Sequence, residues 1–242
     1  MPRRAAKAPG PTIVLFVRHG TTPTTGRVLP GQAKGLHLSE SGRAEAAAVA
    51  ERIAALPVGS VEAVYASTLE RAGETAAEIA NRVGKQVEVE PDLVDCDTGE
   101  WTGKELATLR KLPEWQTVER WPTGWRFPGG ESSAELQARI ACVVERLRTR
   151  HPGKMVVAVS HADPIKAAVV SALGSPFDFN DRIAIAPCSV TAIAYGRTGA
   201  AVLAVNSTGD LARAIPTAPP KGRAHTGERE TPSPGASGGS RP

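Results

Sequence analysis

Apolar and polar positions along the chain form alternating blocks that predict strands and helices in turn. Three apolar runs, at residues 12–17, 61–66 and 155–159, have the length of buried strands. Each is followed by a segment with apolar residues at helical spacing, the pattern of βαβ units around a parallel sheet. Two later runs, 189–195 and 201–205, flank a short glycine-containing turn and predict a hairpin. We therefore predict an α/β fold with a mixed, mostly parallel central sheet.

Local signals predict where several helices begin and end. A capping box from Ser67 to Glu70 predicts the start of the helix after the second strand, and Gly84 predicts its end. Asp163 followed by Pro164 predicts an N-cap and a first helical residue after the last parallel strand. A further helix is predicted at 133–150, entered through a glycine-rich turn.

The composition divides the chain into a folded domain and two tails. We predict a basic, disordered tail at 1–10, one domain at 11–211 and a disordered tail at 212–242, where Pro and Gly supply 11 of 31 positions. Between about 104 and 130 the periodicity weakens, which predicts an insertion over the site.

Charge and cysteine content narrow the classes of function. The net charge is +4, but the two tails carry +3 each, so residues 11–211 carry about −2. This negative charge argues against a folded nucleic-acid-binding domain, whereas a small anionic substrate in a local basic pocket is compatible with it. Three scattered cysteines predict neither a disulfide framework nor a zinc site and favour the cytoplasm. No apolar run has the length of a membrane span.

Three predicted strand-to-helix junctions carry basic residues. Arg18 and His19 follow the first strand, Arg71 lies at the start of the next helix, and His161 follows the last parallel strand. Such junctions gather at the carboxyl edge of a parallel sheet, where ligands bind. A cation in the first turn of a helix opposes the helix dipole, so Arg71 is best explained by an anion held there.

Each of these residues also has a purely structural explanation. Arg71 alone could be a solvated residue that pairs with Glu70 or Glu74, and His19 or His161 alone could be a hydrogen-bonded histidine at a strand end. Found together at matching strand-to-helix junctions, the three residues favour a catalytic role. A neutral imidazole attacks phosphorus directly and forms a phosphohistidine, while cations stabilise the phosphoryl oxygens.

Five blocks resemble a known family in their order and spacing: RHGTT at 18–22, STLERAGETA at 67–76, LVDCDTGEWTG at 93–103, PGGES at 128–132 and SH at 160–161. They are similar to the histidine phosphatase superfamily, in its phosphoglycerate-mutase-like branch. The resemblance spans about residues 12–206 and implies a three-layer α/β/α domain without a metal or another cofactor.

The resemblance also implies residue roles. It implies that His19 is the nucleophile and that Asp95 protonates the leaving oxygen. Arg18, Arg71 and His161 would form the phosphate pocket, and the expected substrate-binding set adds Gly20, Thr25 and Gln32.

The chain departs from the family pattern at the proposed acid. Asp95 stands where the family usually has Glu, one methylene longer, so Asp97, Glu100 and Asp163 are alternative acids. Thr25 stands where an Asn commonly contacts phosphate, and its hydroxyl can substitute for that contact. A turn residue near Gly99 is the structural alternative for Asp95.

All four tryptophans fall within the 25 residues from Trp101 to Trp125, close to Phe127. Two interpretations stay open: the rings line a pocket that favours an apolar or sugar-bearing substrate, or they pack the insertion onto the sheet. Nearby basic residues either reach a second anionic group or form a solvated face; they are Lys104, Lys111, Arg120 and Arg126.

The sequence thus predicts a phosphomonoester hydrolase that acts on a small phosphorylated metabolite through a phosphohistidine. A phosphomutase is the alternative; it would need a shielded site and several basic residues to clamp its substrate. A non-catalytic phosphate-binding scaffold is a third possibility, with the basic tails as an interaction arm.

Overall fold

The computed structural model describes residues 9–57 and 59–215, which are organised around a six-stranded sheet. Its strands run in the order β3-β2-β4-β1-β5-β6. The first four are mutually parallel, and β5 and β6 are antiparallel to their neighbours. The strands are β1 (Thr12–Arg18), β2 (Val61–Ala66), β3 (Val87–Val89), β4 (Met155–Ser160), β5 (Val190–Gly196) and β6 (Gly199–Ser207). The predicted mixed, mostly parallel sheet and its hairpin are confirmed, and β3 is the strand that the sequence did not predict.

Helices cover both faces of this sheet. Leu15 and Val17 of β1 pack into one apolar cluster, and Val14 and Phe16 pack into the other. Because both faces are buried, the inner strands are continuously apolar rather than alternating. The helices are α1 (Glu40–Ala54), α2 (Glu70–Val83), α3 (Leu106–Leu109), α4 (Trp115–Arg120), α5 (Ser133–Arg150), α6 (Ala162–Leu173) and α7 (Leu211–Ala214). Helices α1 and α2 lie on one face and α5 and α6 on the other, which confirms the three layers. None of the helices in the described ranges is long and apolar enough to cross a bilayer.

Two predicted helix caps are wrong. Helix α2 has Leu69 at its N-cap, without a side-chain cap, because the Ser67 hydroxyl contacts His161 instead. Helix α6 has His161 at its N-cap, so Asp163 lies inside the first turn. By contrast, α5 begins and ends as predicted, and Gly84 ends α2 in the left-handed conformation.

Helix α7 continues past residue 211, where the sequence analysis places the end of the domain. Helix α7 follows β6, and Leu211 and Ile215 are buried in the same apolar cluster as α1 and α2. Ile215 is therefore packed with the folded core, although it lies in the stretch 212–242 where Pro and Gly supply 11 of 31 positions. The predicted bounds of the domain stay a prediction. The predicted tails at 1–8 and 216–242 lie outside the described residues.

The parallel strands bring three chain segments to one edge of the sheet. β1, β2 and β4 end side by side, with Arg18 opposite Ser160 and Ala66 opposite Val159. The backbone N–H of His19 donates to the carbonyl of Ser160 at 3.0 Å, so the junctions after β1 and β4 are tied together.

Candidate active site

The sequence-predicted side chains converge at this edge. The rings of His19 and His161 lie with their centroids 5.0 Å apart. Arg71 Nε lies 3.3 Å from His19 Nε2, and Arg71 Nη2 lies 3.2 Å from Asp95 Oδ2. A cavity of about 210 Å³, hereafter the phosphate cavity, opens beside Arg18, His19 and Asp95.

Hydrogen bonds to both ring nitrogens fix the orientation of His19. Its Nδ1 lies 2.8 Å from the carbonyl oxygen of Gly20, so we assign the proton to Nδ1 and the lone pair to Nε2. Burial, and then the neighbouring Arg71 guanidinium, lower the pKa of His19 to about 3. The ring is therefore neutral near pH 7, and its Nε2 lone pair accepts the Arg71 Nε–H at 3.3 Å. A neutral imidazole is the form that a nucleophilic histidine needs.

Arg71 is fully buried and does not pair with Glu70 or Glu74, so its interpretation as a solvated helix residue is wrong. Its guanidinium donates to the carbonyls of Gly31 at 2.8 Å and Ala33 at 3.2 Å, as well as contacting Asp95. These acceptors offset the cost of burying the cation.

His161 is fully buried and is held by Ser67. The Ser67 hydroxyl lies 2.8 Å from His161 Nε2 and accepts the backbone N–H of Leu69 at 3.3 Å, so we assign it as donor to the ring. That assignment leaves the proton on His161 Nδ1, which has no hydrogen-bond partner in the described part of the chain. Burial, and then His19, lower the pKa of His161, so the ring offers a neutral N–H donor rather than a charge.

Despite its short side chain, Asp95 reaches the cluster formed by His19, Arg71 and His161. Oδ2 lies 3.6 Å from His161 Nδ1, and Oδ1 accepts the backbone N–H of Cys96 at 2.9 Å. Burial, and then the charge of Asp163, raise the pKa of Asp95 to about 6. A carboxyl group with this pKa is partly protonated near neutral pH, as a general acid requires.

Arg18 and Thr25 line the phosphate cavity. Arg18 Nη1 donates to the carbonyl of Ile185 at 2.6 Å, and its buried Nε has no partner among the described residues. The Thr25 hydroxyl accepts the backbone N–H of Thr22 at 2.9 Å and belongs to a small group of hydroxyls at the cavity wall. Both side chains therefore keep donors for a bound anion.

Gly20 and Gln32 lie behind the cavity rather than on its wall. The N–H of Gly20 donates to Thr75 Oγ1 at 3.1 Å while its carbonyl holds His19. Gln32 Nε2 donates to the backbone carbonyl of Asp95 at 3.0 Å. These contacts position neighbouring groups, and the predicted contact of Gly20 and Gln32 with substrate stays a prediction.

Sequence reasoning did not assign a site role to Thr75, Ser67 or Arg139. Thr75 and Ser67 belong to the quoted block at 67–76, so the motif contained the signal. Arg139 Nη1 donates to the carbonyls of Asp92 and Val94, and it fixes the loop before Asp95 onto α5. Nothing in the local sequence distinguishes Arg139 from a solvated helix residue.

The three alternative acids are placed differently. Asp97 Oδ1 accepts the N–H of Gly99 at 3.0 Å in a turn, and neither Asp97 nor Glu100 lines the phosphate cavity. Asp163 does line it, although no hydrogen bond joins it to His19, Arg71 or His161. Asp95 is thus the acid in direct contact with the cluster.

The aromatic residues of the insertion both line a cavity and pack against one another; which substrate they favour stays a prediction. Trp101 is buried and contacts the rings of Trp115, Trp125 and Phe127 at centroid distances of 5.3 to 6.0 Å. The latter three also line a second cavity, whereas Trp121 is 61% exposed.

The four nearby basic residues do not line either cavity in the described structure; they are Lys104, Lys111, Arg120 and Arg126. Arg126 instead pairs with Glu135 at 2.6 Å. Within residues 9–57 and 59–215, no three His, Cys, Asp or Glu side chains are grouped so as to hold a metal ion.

Comparison with known proteins places this geometry in context. The sequence model of the histidine phosphatase superfamily (branch 1) matches residues 14–208. Phosphoserine phosphatase 1 of Hydrogenobacter thermophilus is 33% identical over 151 residues, 60% of this chain and 69% of that protein. Probable phosphoglycerate mutase GpmB of Cronobacter sakazakii is 32% identical over 186 residues, 75% of this chain and 84% of that protein. The structure of the mycobacterial glucosyl-3-phosphoglycerate phosphatase Rv2419c superposes with a TM-score of 0.72 at 25% identity, covering 81% of this chain and 99% of that chain.

Proposed function

The chain belongs to the histidine phosphatase superfamily, branch 1, and from that premise we propose that it hydrolyses phosphomonoesters of small metabolites through a phosphohistidine at His19. The observation that carries the proposal is the orientation of His19. Its neutral ring presents Nε2 beside Arg71 and His161, at the wall of a cavity that a phosphoryl group fits.

In the first step, His19 Nε2 attacks phosphorus and the bond from phosphorus to the ester oxygen breaks. Arg18, Arg71 and the N–H of His161 stabilise the charge on the equatorial oxygens. Protonated Asp95 delivers its proton to the leaving oxygen, and the alcohol departs. Asp95 is then a carboxylate next to a phosphorylated His19.

In the second step, a water molecule attacks the phosphohistidine. The Asp95 carboxylate takes a proton from this water as the bond from nitrogen to phosphorus breaks, so neutral His19 and protonated Asp95 are restored. Inorganic phosphate is the second product. Both steps use protein side chains and water.

We also propose a cytoplasmic location. The free thiols of Cys96, Cys142 and Cys188 support a reducing environment.

The similarity to GpmB makes a phosphomutase the second candidate. A mutase must hold a second phosphate or carboxylate while the phosphoryl group is transferred back. The described wall of the second cavity contains Glu119, Asp163 and Asp181 but no Lys or Arg. This charge pattern supports transfer to water over return to an anionic substrate.

The proposal is tested with a panel of phosphomonoesters, measuring phosphate release by the wild type and by His19→Ala. We expect turnover by the wild type, loss of about 10³-fold or more in the variant, and an acid-labile, alkali-stable phosphoprotein after rapid quenching. His37→Ala is the matched control, because the His37 side chain is 62% exposed and lines neither cavity; its turnover should equal that of the wild type.

Two outcomes would contradict hydrolysis. Isomerisation of 3-phosphoglycerate that outpaces its hydrolysis would make the chain a mutase. Absence of both turnover and label with every ester, together with binding of inorganic phosphate, would make it a scaffold.

A further inference from the structure

A second, larger cavity adjoins the phosphate cavity, and we call it the leaving-group cavity. It has a volume of about 500 Å³. Leu29, Cys96 and Asp163 line both cavities, so the two spaces meet beside Asp95. An ester whose phosphate lies at His19 would therefore direct its alcohol portion into this space.

The wall of the leaving-group cavity is largely apolar. Trp115, Trp125, Phe127 and Phe177 contribute aromatic rings to it. The Trp125 and Phe127 rings are held perpendicular to each other at 6.0 Å. Rings fixed in this way favour a planar or compact apolar group over a flexible polar chain.

The charged residues on this wall are all acidic in the described structure. Asp163 and Asp181 share the ammonium group of Lys166 at 3.7 and 3.5 Å, and Glu119 accepts the Trp115 indole N–H at 2.6 Å. Two carboxylates thus share one cation whose side chain is 16% exposed, and Glu119 adds a third carboxylate to the wall. A second anion on the substrate would meet repulsion here, whereas a cation would not.

Two buried polar atoms on the same wall have no partner among the described residues. Asn180 is 7% exposed, and its Oδ1 makes no hydrogen bond. Trp125 Nε1 is likewise buried and unpaired. Unpaired buried polar atoms are costly, so their presence on a cavity wall points to a ligand with polar groups.

We propose, on the basis of the hydrolase function above, that the leaving-group cavity selects phosphate esters of an apolar, ring-bearing alcohol that carries an ammonium group, and that it rejects alcohols with a carboxylate. The rings bind the apolar body, and Asp163, Asp181 and Asn180 supply acceptors for the N–H donors. The phosphate cavity binds the phosphoryl group, which all phosphate esters share. Discrimination between alcohols therefore occurs in the leaving-group cavity.

Three matched esters test this selectivity: 4-(aminomethyl)benzyl, 4-methylbenzyl and 4-carboxybenzyl phosphate. The three esters are closely similar in size and in their leaving oxygen. Differences in kcat/KM therefore report the charge of the substituent at the 4-position of the ring. We expect the ammonium ester to be the best substrate and the carboxylate ester to be at least about tenfold poorer than the methyl ester. A carboxylate ester that equals or exceeds the methyl ester would overturn the proposal.

The variant Asp181→Asn tests whether the leaving-group cavity causes the selectivity between the ammonium and carboxylate esters. We expect the ratio of kcat/KM between the ammonium and carboxylate esters to fall by about fivefold or more. Glu145→Gln is a matched control, because Glu145 lines a separate cavity with Arg146 and Tyr65; the ratio should be unchanged. An Asp181→Asn ratio equal to that of the wild type would contradict the assignment.

The outcomes separate this inference from the hydrolase function. If His19-dependent hydrolysis occurs with the panel of metabolite esters but none of the benzyl esters is a substrate, the inference fails alone. If no ester of either kind releases phosphate, the hydrolase function fails and the inference with it.

Discussion

Asp95 shows how an ordinary residue type acquires chemical function from its surroundings. A solvated aspartate is ionised at pH 7 and cannot donate a proton. Burial and the nearby charge of Asp163 raise the pKa of Asp95 to about 6, while Arg71 opposes that shift. The same burial, with Arg71, lowers the pKa of His19 to about 3. The two groups are therefore shifted in the directions that an acid and a nucleophile need.

Replacing the acid should slow only the reactions that need a proton. We expect Asp95→Asn to reduce kcat for alkyl phosphates by about 10² to 10⁴, but to change hydrolysis of 4-nitrophenyl phosphate far less, because that leaving group departs without protonation. Steady-state kinetics with both esters checks this. Asp97→Asn is the control, since its amide oxygen still accepts the Gly99 N–H. Small, equal effects on both esters would remove Asp95 from the role.

The pH profile should show the same two groups. For an alkyl phosphate, kcat/KM requires neutral His19 and protonated Asp95, so it should rise through about pH 3 and fall as the pH increases through about 6. Asp163→Asn removes a charge that raises the pKa of Asp95, so the upper midpoint should move to lower pH. The fall of kcat/KM above about pH 6 should be absent in Asp95→Asn. Its absence would assign that fall to Asp95 rather than to ionisation of the substrate phosphate. A midpoint that is the same in wild type and Asp163→Asn would be inconsistent with this coupling.

At the scale of elements, His19 is positioned by close packing between the turn after β1 and the start of α1. A Cβ at Gly20 would lie 2.5 Å from the carbonyl oxygen of Gly42, and a Cβ at Gly42 would lie 2.0 Å from that of Thr21. The Ser39 hydroxyl also donates to the Thr21 carbonyl at 3.1 Å. The absence of side chains at both glycines thus lets α1 support the turn that holds His19.

A methyl group at Gly42 should disturb this contact. We expect Gly42→Ala to lower the free energy of unfolding by about 1–3 kcal/mol, although alanine favours helices more than glycine does. Gly73→Ala in α2 is the matched control, because its Cβ would have no heavy atom within 4 Å; we expect it to stabilise the protein by about 0.5–1 kcal/mol. Urea denaturation of both variants checks the difference, and equal stabilisation would show that the contact is not tight.

At the scale of the whole molecule, the sheet edge gathers the site while helices on both faces bury the core. The last described residues contribute to this core, since Leu211 and Ile215 are 1% and 4% exposed. Arg52 of α1 also donates to the carbonyls of Ser207 and Gly209, which fixes the chain after β6. Packed side chains therefore continue to Ile215, past the predicted end of the domain at residue 211.

Two truncations should separate the tail from the domain. Deleting residues 216–242 should leave kcat/KM and stability unchanged, as the Pro- and Gly-rich composition predicts. Deleting 211–242 should destabilise the protein by on the order of 3 kcal/mol, because two buried apolar side chains are lost. Thermal unfolding and turnover of both proteins check this; a large loss of activity on the shorter deletion would assign the tail a function.

The sequence by itself determined the sheet class, the hairpin, the bounds of α5 and which charged and histidine side chains meet at the sheet edge. These features depend on local periodicity, on caps and on motifs at strand ends, all of which are properties of short segments. The junctions after β1, β2 and β4 follow from the same logic, because parallel strands carry their carboxyl ends to one edge.

Only the tertiary structure decided how those residues are used. Ser67 caps no helix because His161 lies beside it, and Gln32 and Arg139 hold Asp95 from segments distant in the sequence. The raised pKa of Asp95, the burial of Arg71 and the acidic wall of the leaving-group cavity arise from groups far apart along the chain. Electrostatics and desolvation depend on distance in space, so periodicity and motifs along the chain carry no direct record of them.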